Sequence, residues 1–293
     1  MTAVLAHRGI CVSDLDASTR FYTHALGFEP INEVQEQSGS WLAAALELPG
    51  AHTRSRQVRN GEGVVLELTQ FLSPAAVGTR QRRPNNHYGL THLAWYFHDI
   101  DAVADRVAEA GGQVHPHTRA HYPAGGATMM YCTDPDGTRI ELMHHEVAGE
   151  RFSHSGIQQF DHDLFMRFYS QIFGFETAEN YDLVNEQEWL SVINELPDVQ
   201  LRAQMVRDAR GNTFELLGFY NPASEGPRER PPRNQYGFNY LAFWAEDLDA
   251  TADLVRELGG QVHEHTRASS GEVELLACSD PVGVRLQLMK KLG

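Results

Sequence analysis

The sequence predicts an α+β protein made of two tandem domains, each assembled from two strand–helix–strands modules, and three observations carry that prediction. First, the chain of 293 residues repeats itself at an offset of 146 to 148 positions. "HRGICVSDLDASTRFYTHALGFE" from His7 returns as "HSGIQQFDHDLFMRFYSQIFGFE" from His154, "AGGQVHPHTRA" returns as "LGGQVHEHTRA", and "DPDGTRIELM" returns as "DPVGVRLQLM". Second, a shorter unit recurs inside each half, because His7, His92, His154 and Tyr240 are each followed seven residues later by an Asp-x-Asp step. Third, apolar spacing changes from the period of a strand to that of a helix at that step.

Taken in order, each module opens with a strand of six or seven residues that carries the His or Tyr. An aspartate then caps a helix, since a short acceptor side chain satisfies the free N–H groups of the first turn. The helix near Asp99 has apolar positions at Val103, Val107 and Ala110 and stops at Gly111-Gly112, where glycine accepts the left-handed backbone that ends a helix. β-type runs bounded by turn residues follow, such as Val64 to Phe71 and Thr128 to Thr133. The stretch from Glu67 to His92 is long and rich in Pro, Gly and Asn, and "HHEVAGERFS" (His144 to Ser153) joins the halves.

Composition narrows the function. Hydrophobic residues make up 42% and charged residues 22%, as in a soluble globular protein, and the net charge of −15 argues against nucleic acid or an anionic membrane as partner. No apolar run reaches the length of a membrane span, and the first residues are too short for a signal peptide. The three cysteines, Cys11, Cys132 and Cys278, form no C-x-x-C pair and read as buried thiols in a cytoplasmic protein.

The four modules place polar residues at matching points. First strands offer His7, His92, His154 and Tyr240; last strands offer Glu67, Glu141, Glu215 and Gln287. In a strand, Glu67 must face away from Leu66 and Leu68, Glu141 away from Ile140 and Leu142, and His92 away from Leu93. A sheet that turns its apolar face to helices and gathers His and Glu on the other builds a polar cavity. Two imidazoles and two carboxylates there suit a divalent cation of borderline hardness. The fourth module has lost both ligand types, so one complete site per chain is expected.

At these residues the chain resembles the vicinal oxygen chelate superfamily, which includes glyoxalase, methylmalonyl-CoA epimerase, extradiol dioxygenases and bleomycin-binding proteins. The carrying motifs are "H-x6-DLDASTRFYTHALGFE", "VVLELTQF", "GLTHLAWYFHDIDAVADRVAEAGG" and "DPDGTRIELM". The resemblance covers nearly the whole chain. It implies glyoxalase-like domains over residues 1–147 and 153–293, with paired β-α-β-β-β modules forming half-open barrels around a cavity. Carried over position by position, it implies metal ligands His7, Glu67, His92 and Glu141, with Glu67 or Glu141 as catalytic proton shuttle. It also implies one divalent metal per chain (Fe, Zn, Ni, Mn or Co). An alternative pairing of the second and third modules would complete His92, Glu141, His154 and Glu215 instead. Pairing within the first half is the favoured reading, because the long loop after Glu67 can bring the second module back beside the first.

Strand alternation adds Cys11, Thr69, Tyr96, Arg139 and Met143 to the cavity face, and Tyr96, Tyr122, Tyr131 and Arg139 are the candidate substrate contacts. The expected activity is a lyase, isomerase or epimerase acting on a small carbonyl- or hydroxyl-bearing molecule chelated through adjacent oxygens. An Fe(II) ring-cleaving dioxygenase and a metal-free binding or resistance protein are the alternatives. The expected partner is a small-molecule substrate, and family members that build sites across subunits leave a homodimer open.

Overall fold

The computed structural model describes residues 3–184 and 188–292. The first module runs β1 (Val4–Val12), α1 (Leu15–Leu26), β2 (Glu29–Pro30), β3 (Gln35–Ser38), α2 (Ser40–Leu46), β4 (His52–Arg59) and β5 (Val65–Ser73). The second runs β6 (Gly89–Tyr96), α3 (Ile100–Glu109), β7 (Gln113–Tyr122), β8 (Ala127–Thr133) and β9 (Arg139–His144). The third repeats the first as β10 (Arg151–Gln158), α4 (His162–Phe173), β11 (Glu176–Leu183), α5 (Glu188–Asn194), β12 (Gln200–Arg207) and β13 (Thr213–Asn221). The fourth repeats the second as β14 (Gly237–Trp244), α6 (Leu248–Glu257), β15 (Gln261–Ser269), β16 (Val273–Ser279) and β17 (Arg285–Lys291).

The expected caps form. Asp14, Asp99, Asp161 and Asp247 all have extended backbones and accept hydrogen bonds from first-turn N–H groups of α1, α3, α4 and α6. At the far end of α3, Gly111 has φ +87°, a conformation that side-chain-bearing residues rarely adopt.

Each sequence half keeps its own hydrophobic core. Phe21 and Tyr22 of α1 and Val103 and Val107 of α3 pack with Leu66, Leu68, Leu93, Ile140 and Leu142. Phe165, Phe168 and Tyr169 of α4 and Val255 of α6 pack with Phe214, Leu216, Leu241, Phe243 and Leu286 in the second half. Removing this apolar surface from water, at about 25 cal/mol per Å², holds the two helices of a half between its strand runs. A tyrosine reinforces each core: Tyr22 donates to Asp134 at 3.0 Å and Tyr169 to Asp280 at 2.9 Å. Those aspartates also accept backbone N–H groups within the D-P-x-G turns.

The sheets, by contrast, run across the halves. One has the order β15-β16-β17-β14-β1-β5-β4-β2, with β3 on β4; the other is β11-β12-β13-β10-β6-β9-β8-β7. β1 lies antiparallel to β14, and β10 lies antiparallel to β6. The module pairing expected within the first half is therefore corrected: the first module shares a sheet with the fourth, and the second with the third. Connection length supplies the physical reason. Residues 145–150 form a short link that only has to cross the end of β6, so β10 follows β9 into the same sheet. The long segments 74–88 and 222–236 instead run beside each other, bridged at Val77–Gln235 and His87–Glu225. A long loop permits several destinations, while a short one compels a nearby one.

Among the described residues no helix is long and apolar enough to cross a membrane. The three cysteines are buried and unpaired with one another, as expected.

Candidate functional site

The face of the second sheet opposite its helices brings together His92 of β6, Glu141 of β9, His154 of β10 and Glu215 of β13. The imidazole Nε2 atoms of His92 and His154 are 2.9 Å apart. Oε2 of Glu141 lies 3.7 Å from His92 and 3.6 Å from His154, and Oε2 of Glu215 lies 3.5 and 3.4 Å from the same two atoms. His92, His154 and Glu215 have ligand atoms within 4.8 Å of one another.

Local features hold the rings in place. Gly156 gives room to His92: a Cβ on it would come within 2.5 Å of the ring and 2.3 Å of Thr91 Oγ1. The far ring nitrogens are also engaged, Nδ1 of His92 at 3.0 Å from Thr91 Oγ1 and Nδ1 of His154 at 3.0 Å from Ser153 Oγ. Such contacts fix the orientation of metal-binding imidazoles.

The electrostatics divide the four groups. Burial, and then the neighbouring His154, lowers His92 to about 3, so it is a neutral imidazole. Burial raises Glu141 to about 7, although attraction to His154 opposes it more strongly than repulsion from Glu215 assists it. Burial opposes charge on His154 and Glu215 as well. Their mutual attraction outweighs it, raising His154 and lowering Glu215.

These residues fit a divalent cation. With ligand bonds of about 2.1 Å, neighbouring donor atoms stand roughly 3.0 Å apart in an octahedron and roughly 3.4 Å apart in a tetrahedron. The His–His and His–Glu separations span that range. Borderline nitrogen donors with hard carboxylates suit Zn, Ni, Co, Mn or Fe(II).

The other sheet holds the rest of the expected set. His7 and Glu67 are brought to Tyr240 and not to His92 and Glu141, which corrects their expected convergence. Nε2 of His7 lies 3.0 Å from the Tyr240 hydroxyl, which donates to Glu67 Oε1 at 2.6 Å. Gln57 donates to the other Glu67 oxygen at 3.3 Å. Arg233, buried, sets its guanidinium 3.6 Å above the Tyr240 ring and 3.7 Å from Glu67. A phenol proton and a guanidinium thus meet the donors that a cation would otherwise meet. Gly9 accommodates the phenol ring as Gly156 accommodates His92, since a Cβ there would overlap the Tyr240 ring at 1.4 Å. Half-buried Gln287 lies in register with Ala242 and Ala277 on the same sheet.

A cavity of about 130 Å3 opens beside His92, Glu141, His154 and Glu215. Tyr96, Tyr122, Tyr131 and Met143 line it. Arg139 does not. Its guanidinium lies behind the Tyr131 ring at 4.6 Å, pairs with Glu195 at 3.3 Å and donates to the Arg83 carbonyl at 2.7 Å. Cys11 and Thr69 belong to the first sheet, Cys11 packed with Leu42, Leu46 and Phe71.

Two contributors were missed from the sequence. His154 and Glu215 were the partners of His92 and Glu141 in the alternative pairing, which the strand order adopts in place of the favoured one. Arg233 carried no signal, because in "PRERPPRN" it reads as one more cation of a solvated loop. The wall formed by α5, which supplies Trp189, Leu190, Ile193 and Asn194 to the cavity, also went unseen. α5 is tied to the second module by Asn85, whose Nδ2 donates to Asn194 Oδ1 at 3.0 Å and to the Tyr131 oxygen at 3.1 Å. Glu195 adds ion pairs to Arg82 and Arg139 and a 2.7 Å bond from His117.

Comparison with known proteins identifies the family of both halves. The sequence matches the family described as Glyoxalase/Bleomycin resistance protein/Dioxygenase superfamily twice, over residues 4–142 and 151–288. A 2-epi-5-epi-valiolone epimerase from Actinomyces sp. is 32% identical over 143 residues, covering 47% of this chain and 77% of that protein. A probable lactoylglutathione lyase from Vibrio cholerae is 31% identical over 156 residues, covering 53% of this chain and 96% of that protein. Among solved structures, glyoxalase I from Zea mays superposes with a TM-score of 0.68 at 18% identity, covering 99% of this chain and 92% of that one, a likeness of fold.

Proposed function

Because the chain belongs to the glyoxalase/bleomycin resistance protein/dioxygenase superfamily, we propose that it is an enzyme with one divalent metal held by His92, Glu141, His154 and Glu215. Its proposed reaction is a lyase, isomerase or epimerase step that moves a proton beside a chelated carbonyl. The observation that carries this reading is the convergence of buried His92, His154 and Glu141 with half-buried Glu215 on the wall of a cavity, the two imidazole nitrogens 2.9 Å apart and each carboxylate 3.4 to 3.7 Å from both. A bound dication would supply Lewis-acid polarisation of two adjacent substrate oxygens.

The chain's own residues supply the rest. Glu141, a carboxylate on the cavity wall, is placed to take up and return a substrate proton, as a general acid–base requires. Asn85 occupies the Tyr131 oxygen as donor, which leaves the phenol proton to point at a substrate oxygen. The largely apolar wall would displace water from the body of a bound substrate.

The epimerase and the probable lactoylglutathione lyases among its relatives support proton-transfer chemistry. A second reading rests on His92, His154 and Glu215, which alone form a two-His, one-carboxylate group of the kind that Fe(II) oxygenases use.

Reconstitution with Zn, Ni, Mn, Co and Fe(II) tests the proposal. It requires about one metal per chain, lost in His92→Ala, and solvent-deuterium incorporation into carbonyl substrates without oxygen uptake. Stoichiometric oxygen consumption by the Fe(II) form would move the assignment to the second reading. Failure of every metal to bind would favour a metal-free binding protein.

A further inference from the structure

We propose that the substrate is an uncharged, ring-bearing molecule with two adjacent oxygens, its apolar body lodged against Tyr122 and Trp189. The proposal rests on the metal centre assigned above and concerns the rest of the same cavity. Three observations point to it.

The first is charge. No lysine or arginine lines the cavity among the described residues. Two guanidiniums that touch lining rings from outside are already engaged: Arg139 lies behind Tyr131 and is held by Glu195, and Arg151 rests at 4.6 Å over the Tyr96 ring. Two carboxylates of the donor set balance a dication, so the centre offers no surplus positive charge. A substrate carboxylate or phosphate away from the chelating oxygens would be buried without a partner.

The second is surface. Beyond the donors, the wall is mostly Met129, Met143, Leu190, Ile193, Leu201 and Leu217 with aromatic rings, and Asn194 there has its amide engaged by Asn85 and the Leu190 carbonyl. Tyr122 and Trp189 lie with ring centroids 4.9 Å apart at 32°, and Tyr181 meets Tyr122 edge-on at 6.3 Å. Such faces favour a flat or cyclic apolar body over a hydrated open chain.

The third is size. The volume of about 130 Å3 is close to that of apolar cavities of about 150 Å3 that accept one benzene ring.

Three hydroxamates that chelate through the same pair of oxygens test this: acetohydroxamic acid, benzohydroxamic acid and 4-carboxybenzohydroxamic acid. Each is titrated into the Co(II)-loaded protein and read by the visible Co(II) band and by tryptophan fluorescence. Benzohydroxamic acid is expected to bind at least tenfold more tightly than acetohydroxamic acid, and the 4-carboxy compound to lose at least tenfold of that affinity. Tyr122→Leu and Trp189→Leu, which keep the wall apolar, should each shrink the ratio between the first two ligands. Equal affinities for all three, or a preference for the carboxylated ligand, would overturn the substrate class while leaving the metal centre standing. Protein that takes up no Co(II) overturns the metal reading, and the substrate class with it.

Discussion

His154→Ala is expected to weaken metal binding by about 100-fold or more, while His7→Ala leaves it unchanged within about twofold. Complete tetradentate protein sites bind Zn2+ with roughly 10–16 kcal/mol near neutral pH. Shared over four ligands this is about 3 kcal/mol each, and about 1.4 kcal/mol corresponds to tenfold. His154 contributes one of four donors, and its nitrogen lies within 3.6 Å of the three others. Its loss also leaves Glu141 and Glu215 with one imidazole between them. His7 has different company. Without it, the Tyr240 hydroxyl still donates to Glu67 at 2.6 Å and Arg233 still stands 3.7 Å from that carboxylate, so no metal ligand is removed. Competition against a chromophoric chelator gives both affinities, and far-ultraviolet circular dichroism checks that each variant is folded. A metal-replete His154→Ala beside a depleted His7→Ala would refute the assignment and restore pairing within the first half.

Three further outcomes follow from the same geometry. Metal affinity should fall as the pH drops below about 7, by about tenfold per pH unit for each ligand proton displaced, because Glu141, raised to about 7 by burial, and His154, raised by Glu215, each hold a proton in acid. Glu141→Gln should remove the Glu141 proton's share of the slope, and an unchanged slope would exclude Glu141 as ligand. Gly156→Ala should cost about 1–3 kcal/mol, visible as a lower Tm, because its Cβ would press on His92 and Thr91; Gly149→Ala, with nothing within 4 Å, is the control. Tyr240→His with Gln287→Glu should leave metal content near one per chain, since the Arg233 guanidinium beside Glu67 repels a second dication. Adding Arg233→Met should raise it toward two, as read by elemental analysis; two metals without that change would show that Arg233 is not the barrier.

Much of this molecule is legible in its residues. The four Asp caps, the duplication, the helix-facing leucines beside Glu67 and Glu141, and the defects at Tyr240 and Gln287 are local or periodic features. Local features obey short-range rules, since a capping carboxylate or an alternating strand needs only its own neighbours. The partners of each strand edge are another matter. β1 and β10 both carry H-x-G, and β6 and β14 both carry an alanine two residues after their ring, so either edge accepts either neighbour equally well. The ladder hydrogen bonds of a backbone do not depend on side-chain identity, and the repeat makes the side chains nearly interchangeable too. Only the assembled chain breaks that tie, through the short link 145–150 and the two crossing loops. With that choice came His154 and Glu215 beside His92, Arg233 over Tyr240, and α5 across the cavity, none of which has a short-range cause.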